Sequence, residues 1–198
     1  MRIMLTISIV VSVVFICFMS ASFAMATENH SSLLDVNNIL ISISAKIDLV
    51  RVEYSGKNVS VDRESKNILT TMDSISIISN KSFSINSNQY FWSFTRFASK
   101  NSNGAGYCGA GFEDFIILFS INKNKLTYID KYQAQSCLEN YSIGVDSIND
   151  VNSYVIFSPE TNDIEISQDQ FKEEKVTTKK IRLKAMPRQI ETTILEAN

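Results

Sequence analysis

The sequence predicts a mainly β fold of the β-rich α+β kind. The expectation is an antiparallel sheet, folded as a sandwich or a partly open barrel, with one or two short helices and one disulfide. Three observations lead there. Apolar residues recur with period two in several short runs, most clearly in Gln89 to Phe97, where Tyr90, Trp92 and Phe94 alternate with Ser93 and Thr95. Polar, turn-forming segments separate these runs at short, regular intervals, as expected of strand-to-strand connections. Ile, Val, Phe and Tyr are plentiful, and these residues suit a pleated, half-buried surface.

The first 26 residues read as a secretory leader. Arg2 gives a positive start, Leu5 to Met19 is almost wholly apolar, and Ala24-Met25-Ala26 offers small residues for cleavage after Ala26. The apolar run is shorter than the roughly 20 residues that span a bilayer. Residues 27–198 are expected to form one domain with frayed ends, and no stable membrane span after cleavage. Losing Arg2 takes the 19 basic residues of the chain to 18, against 21 acidic, for a formal charge of −3. So small a charge argues against a nucleic-acid partner.

The elements follow in order. Thr27 to Ser32 is polar and reads as a frayed start. Asn38 to Ser44 alternates Ile39, Ile41 and Ile43 onto one face. Ile47 to Tyr54 continues in β-favouring residues, Ser55 to Asn58 turns, and Asn58 to Val61 pairs back. Asp62 to Asp73 is the helix candidate, with Asp62 as cap and Ile68, Leu69 and Met72 on one stripe. Ser74 to Asn88 reads as a hairpin turning at Ser79-Asn80-Lys81. Its successor is the aromatic strand Gln89 to Phe97, whose alternate rings point to a core rather than a binding face. Phe115 to Ile121 is a continuous apolar run suited to a central strand, and Asn122 to Lys125 turns it into Leu126 to Tyr132. Ser142 to Ser153 reads as a polar connection. Tyr154 to Phe157 and Asp163 to Ser167 flank the turn Pro159 to Asn162. Val176 to Ala185 is a late strand with Ile181 and Leu183 inward, and Pro187 stops it. Gln189 to Asn198 is a tail without a clear assignment.

The densest signal lies between two of these strands. Gly104, Gly106, Gly109 and Gly111 are four of the six glycines of the chain, and Cys108 stands among them. Glu113 and Asp114 follow, and Gln135-Ser136-Cys137 answers downstream. With Cys17 removed in the leader, Cys108 and Cys137 are the two cysteines left, and they are expected to form one disulfide; the rival reading is a reactive thiol, for which no base is evident nearby. The closed loop of 29 steps is worth about 3.6 kcal/mol of chain entropy. Gly104, Gly106, Gly109, Gly111 and Glu113 are therefore expected to shape a stapled structural loop, with Glu113 hydrogen-bonded to backbone amides.

Catalytic chemistry finds little footing. His30 is the only histidine, in the polar start, so a serine or cysteine nucleophile lacks a held base. Zinc lacks a Cys and His cluster. The glycine segment has no Gly-Lys-Ser/Thr ending and no following helix, so it is not a phosphate cradle. No catalytic residue, metal or cofactor is expected. Lys179, Lys180, Arg182 and Lys184 form a basic run on the late strand. It is read as solvated protection of an edge, with an alternative role as a binding surface for an acidic protein or envelope polymer.

The stretch Ala105-Gly-Tyr-Cys-Gly-Ala-Gly-Phe-Glu-Asp114, with Ile117-Leu118 and Gln135-Ser-Cys-Leu138, resembles a pattern in uncharacterised exported proteins of Gram-negative bacteria. Those proteins look like small periplasmic domains with a Gly-aromatic-Cys-Gly-Ala-Gly-x-Glu core and a later Gln-Ser-Cys. The resemblance covers Ala105 to Leu138. It implies a Cys108–Cys137 bridge and a periplasmic or secreted address, and it implies no activity. The expected function is that of a non-enzymatic binding protein, such as an inhibitor or toxin-immunity-like factor, with a protein or cell-envelope partner. The alternatives are a glycan hydrolase working through Glu113 or Asp114 and a purely structural envelope protein.

Overall fold

A computed structural model describes residues 31–36, 39–44, 49–99, 111–172 and 175–197. The expected leader, His30, Cys108, Gly104, Gly106 and Gly109 lie outside the described residues.

The described chain is mainly β, with thirteen strands in one open, largely antiparallel sheet and two short α-helices. The first meander is β1 (Ser31–Val36), β2 (Ile39–Ser44), β3 (Leu49–Tyr54) and β4 (Lys57–Val61). The second is β5 (Ser74–Ile85), β6 (Asn88–Ala98), β7 (Phe112–Asn122) and β8 (Lys125–Ser136). β9 (Tyr141–Ser142) leads from β8 to the third group: β10 (Val155–Ser158), β11 (Asp163–Lys172), β12 (Lys175–Ala185) and β13 (Ile190–Ala197). One junction is parallel: Ser60 and Val61 of β4 lie beside Lys125 and Leu126 of β8. Among the described residues the sheet ends at β1, β5, β10 and β13 and does not close on itself.

The helix α1 (Arg63–Thr71) starts as expected. The Asp62 side chain accepts the Ser65 amide at 2.7 Å, which satisfies one of the donors a helix start leaves open. The second helix, α2 (Val151–Tyr154), and a 3-10 turn (Ile148–Asp150) interrupt the segment expected to be a plain connection.

The central meander is covered on both faces, which explains why Phe115 to Ile121 of β7 reads as a continuous apolar run. Tyr90, Trp92, Phe94, Ile116 and Leu118 pack against Ile164, Ile166, Ile181 and Leu183 of the third group. Phe91, Ile117 and Phe119 pack on the other face against Ile39, Ile41, Val52 and Leu69. The aromatic stripe is thus core: Tyr90, Trp92 and Phe94 are at most 2 % exposed. Trp92 keeps its ring N–H satisfied by donating to the Asn162 carbonyl at 3.0 Å.

Two expectations are corrected, and one segment left without an assignment is placed. Ser74 to Ile85 is one strand, not a hairpin. Both of its halves pair with β6, and Ser79-Asn80-Lys81 sits in the register shift between Ile77 and Ser82. Ser79 has φ 59°, and its amide donates to the Asn152 side chain instead of to a strand. The real turn is Asn86-Ser87, with φ 49° and 67°, the left-handed pair that a tight two-residue hairpin needs. Ser31 and Ser32, expected to fray, belong to β1. The tail that had no assignment is β13, an edge strand held by β12.

Candidate functional site

The two halves of the sequence motif meet across β7 and β8. The register sets Glu113 opposite Ser136 and Asp114 opposite Gln135. On the other side of β7, Asp114 faces Arg96 of β6. The Ser99 amide donates to the Gly111 carbonyl at 2.9 Å where the two strands part.

Arg96 and Asp114 form a buried, two-pronged ion pair. Nε donates to Oδ1 at 2.8 Å and Nη2 to Oδ2 at 2.7 Å, with Asp114 fully buried and Arg96 8 % exposed. The same guanidinium donates to the Asp146 carbonyl at 2.9 Å and to the Val145 carbonyl at 3.1 Å. It also lies over the Phe112 ring, 4.7 Å from its centroid. Asp114 raises the pKa of Arg96 through their hydrogen bonds. Burial pushes the Asp114 carboxyl above the ordinary range, against the opposing pull of Arg96. Desolvation is thus the larger influence on the carboxylate, while the geometry keeps it paired.

Glu113 points to the other side of β7 and is also occupied. It accepts from the Gln133 amide at 2.6 Å, the Ser99 hydroxyl at 3.2 Å and the Leu138 backbone amide at 3.3 Å. It therefore ties β7 to the residue after Cys137; the glycine amides it was expected to hold lie outside the described residues, Gly111 excepted. Gln135 donates to the Val145 carbonyl at 3.2 Å and accepts from Ser142 at 2.8 Å. Ser142 in turn accepts the Gly144 amide at 2.9 Å. A register shift between Asp114 and Phe115 adds Ala134 to β8, and Gln168 of β11 donates to its carbonyl at 2.9 Å.

Beside this network lies an open depression of about 360 Å³, lined by Phe112, Gln135, Ser136, Cys137, Asn140, Tyr141, Ser142 and Phe171. Its rim is apolar and uncovered. Phe112 and Phe171 are 42 % and 48 % exposed. Val176, the register partner of Phe171, and Leu138, next to Cys137, are half exposed as well. Its wall offers neutral polar groups. Burial, with Glu139 nearby, pushes the Tyr141 hydroxyl up to about 12, so it stays a neutral phenol at physiological pH. A larger hollow of about 880 Å³ runs along the polar side of α1, lined by Arg63, Glu64, Lys66, Asn67, Thr70 and Thr71. Its threonines bond back to their own helix, and the motif does not reach it.

The basic run of β12 divides between the two faces of the sheet. Lys180, Arg182 and Lys184 share the outer face, and alternation puts Lys179 on the side of Ile181. Arg182 donates to Glu165 at 2.6 Å, Lys184 stands opposite Glu191, and Lys180 opposite Glu196. Among the described residues no group of three or more His, Cys, Asp or Glu side chains is arranged to hold a metal ion. No helix among them is long and apolar enough to cross a membrane.

Arg96 and Phe171 were not singled out from sequence. Arg96 interrupts the alternation of an otherwise apolar strand, and that interruption was the available signal. Comparison of the chain with protein-family models, curated proteins and solved structures finds no match.

Proposed function

We propose that this is an exported, non-enzymatic binding protein, inhibitor-like or immunity-like, that holds a protein or envelope partner at the Phe112–Phe171 depression. One observation carries the reading. The motif spends its charged groups on the fold, with Asp114 on Arg96 and Glu113 on Gln133, Ser99 and Leu138, while the adjoining rim leaves Phe112, Leu138, Phe171 and Val176 uncovered. Large exposed side chains gathered at one place are the usual mark of an interaction site. Residues 1–26 act as the leader, the address is periplasmic or secreted, and a Cys108–Cys137 bridge staples the loop beside the site. The occupied carboxylates weigh against a glycan hydrolase, which needs one carboxyl free to give a proton and another to act at the sugar.

Affinity capture from periplasmic extract tests this, comparing the wild-type protein with Phe112→Ser/Phe171→Ser. A partner retained by the first and lost by the second, with both proteins melting alike, is the expected result. Equal capture by both, or none by either, removes the proposal. Cleavage of peptidoglycan that disappears in Glu113→Gln would restore the hydrolase.

A further inference from the structure

The last strand carries a second surface, independent of the depression. β13 reads Ile-Glu-Thr-Thr-Ile-Leu-Glu-Ala, and among the described residues it pairs with β12 on one side only. A strand edge of this kind presents a row of unpaired backbone donors and acceptors. Natural edges are blunted by lysines, prolines, short length or a covering element. β10 is only four residues long, and at the β5 edge the Ser79 amide donates to the Asn152 side-chain oxygen. β13 has eight residues and contains no Lys, Arg or Pro. Its one irregularity is the register shift near Leu195, which leaves Ile190 to Ile194 regular.

The side chains point the same way as the backbone. Ile190, Thr192 and Ile194 stand opposite Ala185, Leu183 and Ile181, which belong to the core. Yet Ile194 is 59 % exposed while Ile181 is 2 % exposed. The sheet thus continues past its own core and leaves an apolar side chain on the core side uncovered. The outer side carries Glu191 and Glu196, facing Lys184 and Lys180 across the ladder. The strand is anchored at its start, where the Ile190 amide donates to Asp130 at 2.8 Å, so the edge is preformed.

We infer that β13 is a strand-addition site for an extended segment of a partner protein, with apolar residues alternating with Lys or Arg. Such a segment would continue the ladder, place its apolar side chains beside Ile194, and set its cations next to Glu191 and Glu196. A second copy fits less well. In the antiparallel register with fullest overlap, Glu191 of one chain would lie opposite Glu196 of the other, twice over.

Short synthetic peptides test this on the purified protein: one alternating Lys with Val, one with Glu in place of Lys, and one with a central Pro. Amide hydrogen exchange reads the contact. The basic peptide is expected to slow exchange within 190–197 and to bind about tenfold tighter than the acidic one, the worth of two cross-strand charge pairs. The proline peptide is expected to protect nothing. Glu191→Lys/Glu196→Lys should reverse the preference, and the peptide swap on wild type stands alone should that variant unfold. Equal binding of both charged peptides, protection outside β13, or no protection by any peptide would overturn the inference. So would a dimer that already shields β13.

Discussion

Replacing one member of the Arg96–Asp114 pair should cost far more than replacing both. Asp114→Leu leaves a guanidinium 8 % exposed, with its two carboxylate bonds of 2.7 and 2.8 Å gone. Arg96→Met leaves a fully buried carboxylate alone and takes one donor from each of the Val145 and Asp146 carbonyls. A buried pair broken on one side costs about 3–5 kcal/mol, because an uncompensated charge remains. The double variant removes both charges. Val145 keeps a donor in Gln135, and Asp146 is exposed, so water can serve its carbonyl. Its cost should therefore be near 2 kcal/mol, mostly from lost backbone bonds at about 1 kcal/mol each. The sum of the singles then exceeds the double by at least about 4 kcal/mol. Urea unfolding of the four proteins under oxidising conditions measures this coupling. Additivity within about 0.5 kcal/mol would refute the idea that each charge is held in place by the other.

Three further outcomes are expected. Gly144 has φ 82°, and a Cβ there would meet the Tyr154 ring at 3.1 Å, so Gly144→Ala should destabilise by about 1–3 kcal/mol in the same unfolding assay. Asp62→Ala removes the α1 cap and should cost about 1 kcal/mol, with faster amide exchange at Ser65 as the local sign. Tyr128 and Tyr141 are pushed from 10 to about 12, chiefly by burial. The folded state then holds these protons more tightly than the unfolded state, so the stability they contribute is complete below pH 10 and is lost between pH 10 and 12. Burial raises the Tyr132 hydroxyl as well, so ultraviolet titration should show Tyr128 and Tyr141 among several phenols that ionise late, and Tyr141→Phe should remove one of them.

The strands were legible where side-chain period and backbone agreed. Gln89 to Phe97 and Phe115 to Ile121 lie within β6 and β7, the first announced by its alternating rings and the second by its continuous apolar run. Ser79-Asn80-Lys81 misled because a polar triplet marks a turn only if the chain reverses. Here the freed amide found Asn152, 73 positions away, and the strand went on. Gln189 to Asn198 gave no clear signal because β13 owes its strand state to its neighbour, not to a buried face of its own.

The candidate site was half legible for a related reason. The motif residues announced themselves by composition, but their roles depend on register. Arg96 and Asp114 are 18 positions apart, and only the β6–β7 alignment puts them face to face. Once aligned, they explain why Asp114 stands at the start of β7. It anchors a guanidinium that also grips Val145 and Asp146, while Gln135 grips Val145 from β8. The segment after β9 is thereby pinned to the central meander from two strands at once. Ser142, which lines the depression, is tied into the same chain through Gln135 and Gly144. The charged residues of the motif thus act one step behind the surface: they set the wall, and neutral and aromatic side chains form what a partner would touch. A residue that faces a partner can be exchanged for another of similar shape, whereas Asp114 cannot be exchanged without leaving Arg96 unpaired. A graded series at Phe171, by way of Leu and Ala to Ser, should therefore weaken partner capture stepwise at constant stability, and Asp114→Asn should lower stability first.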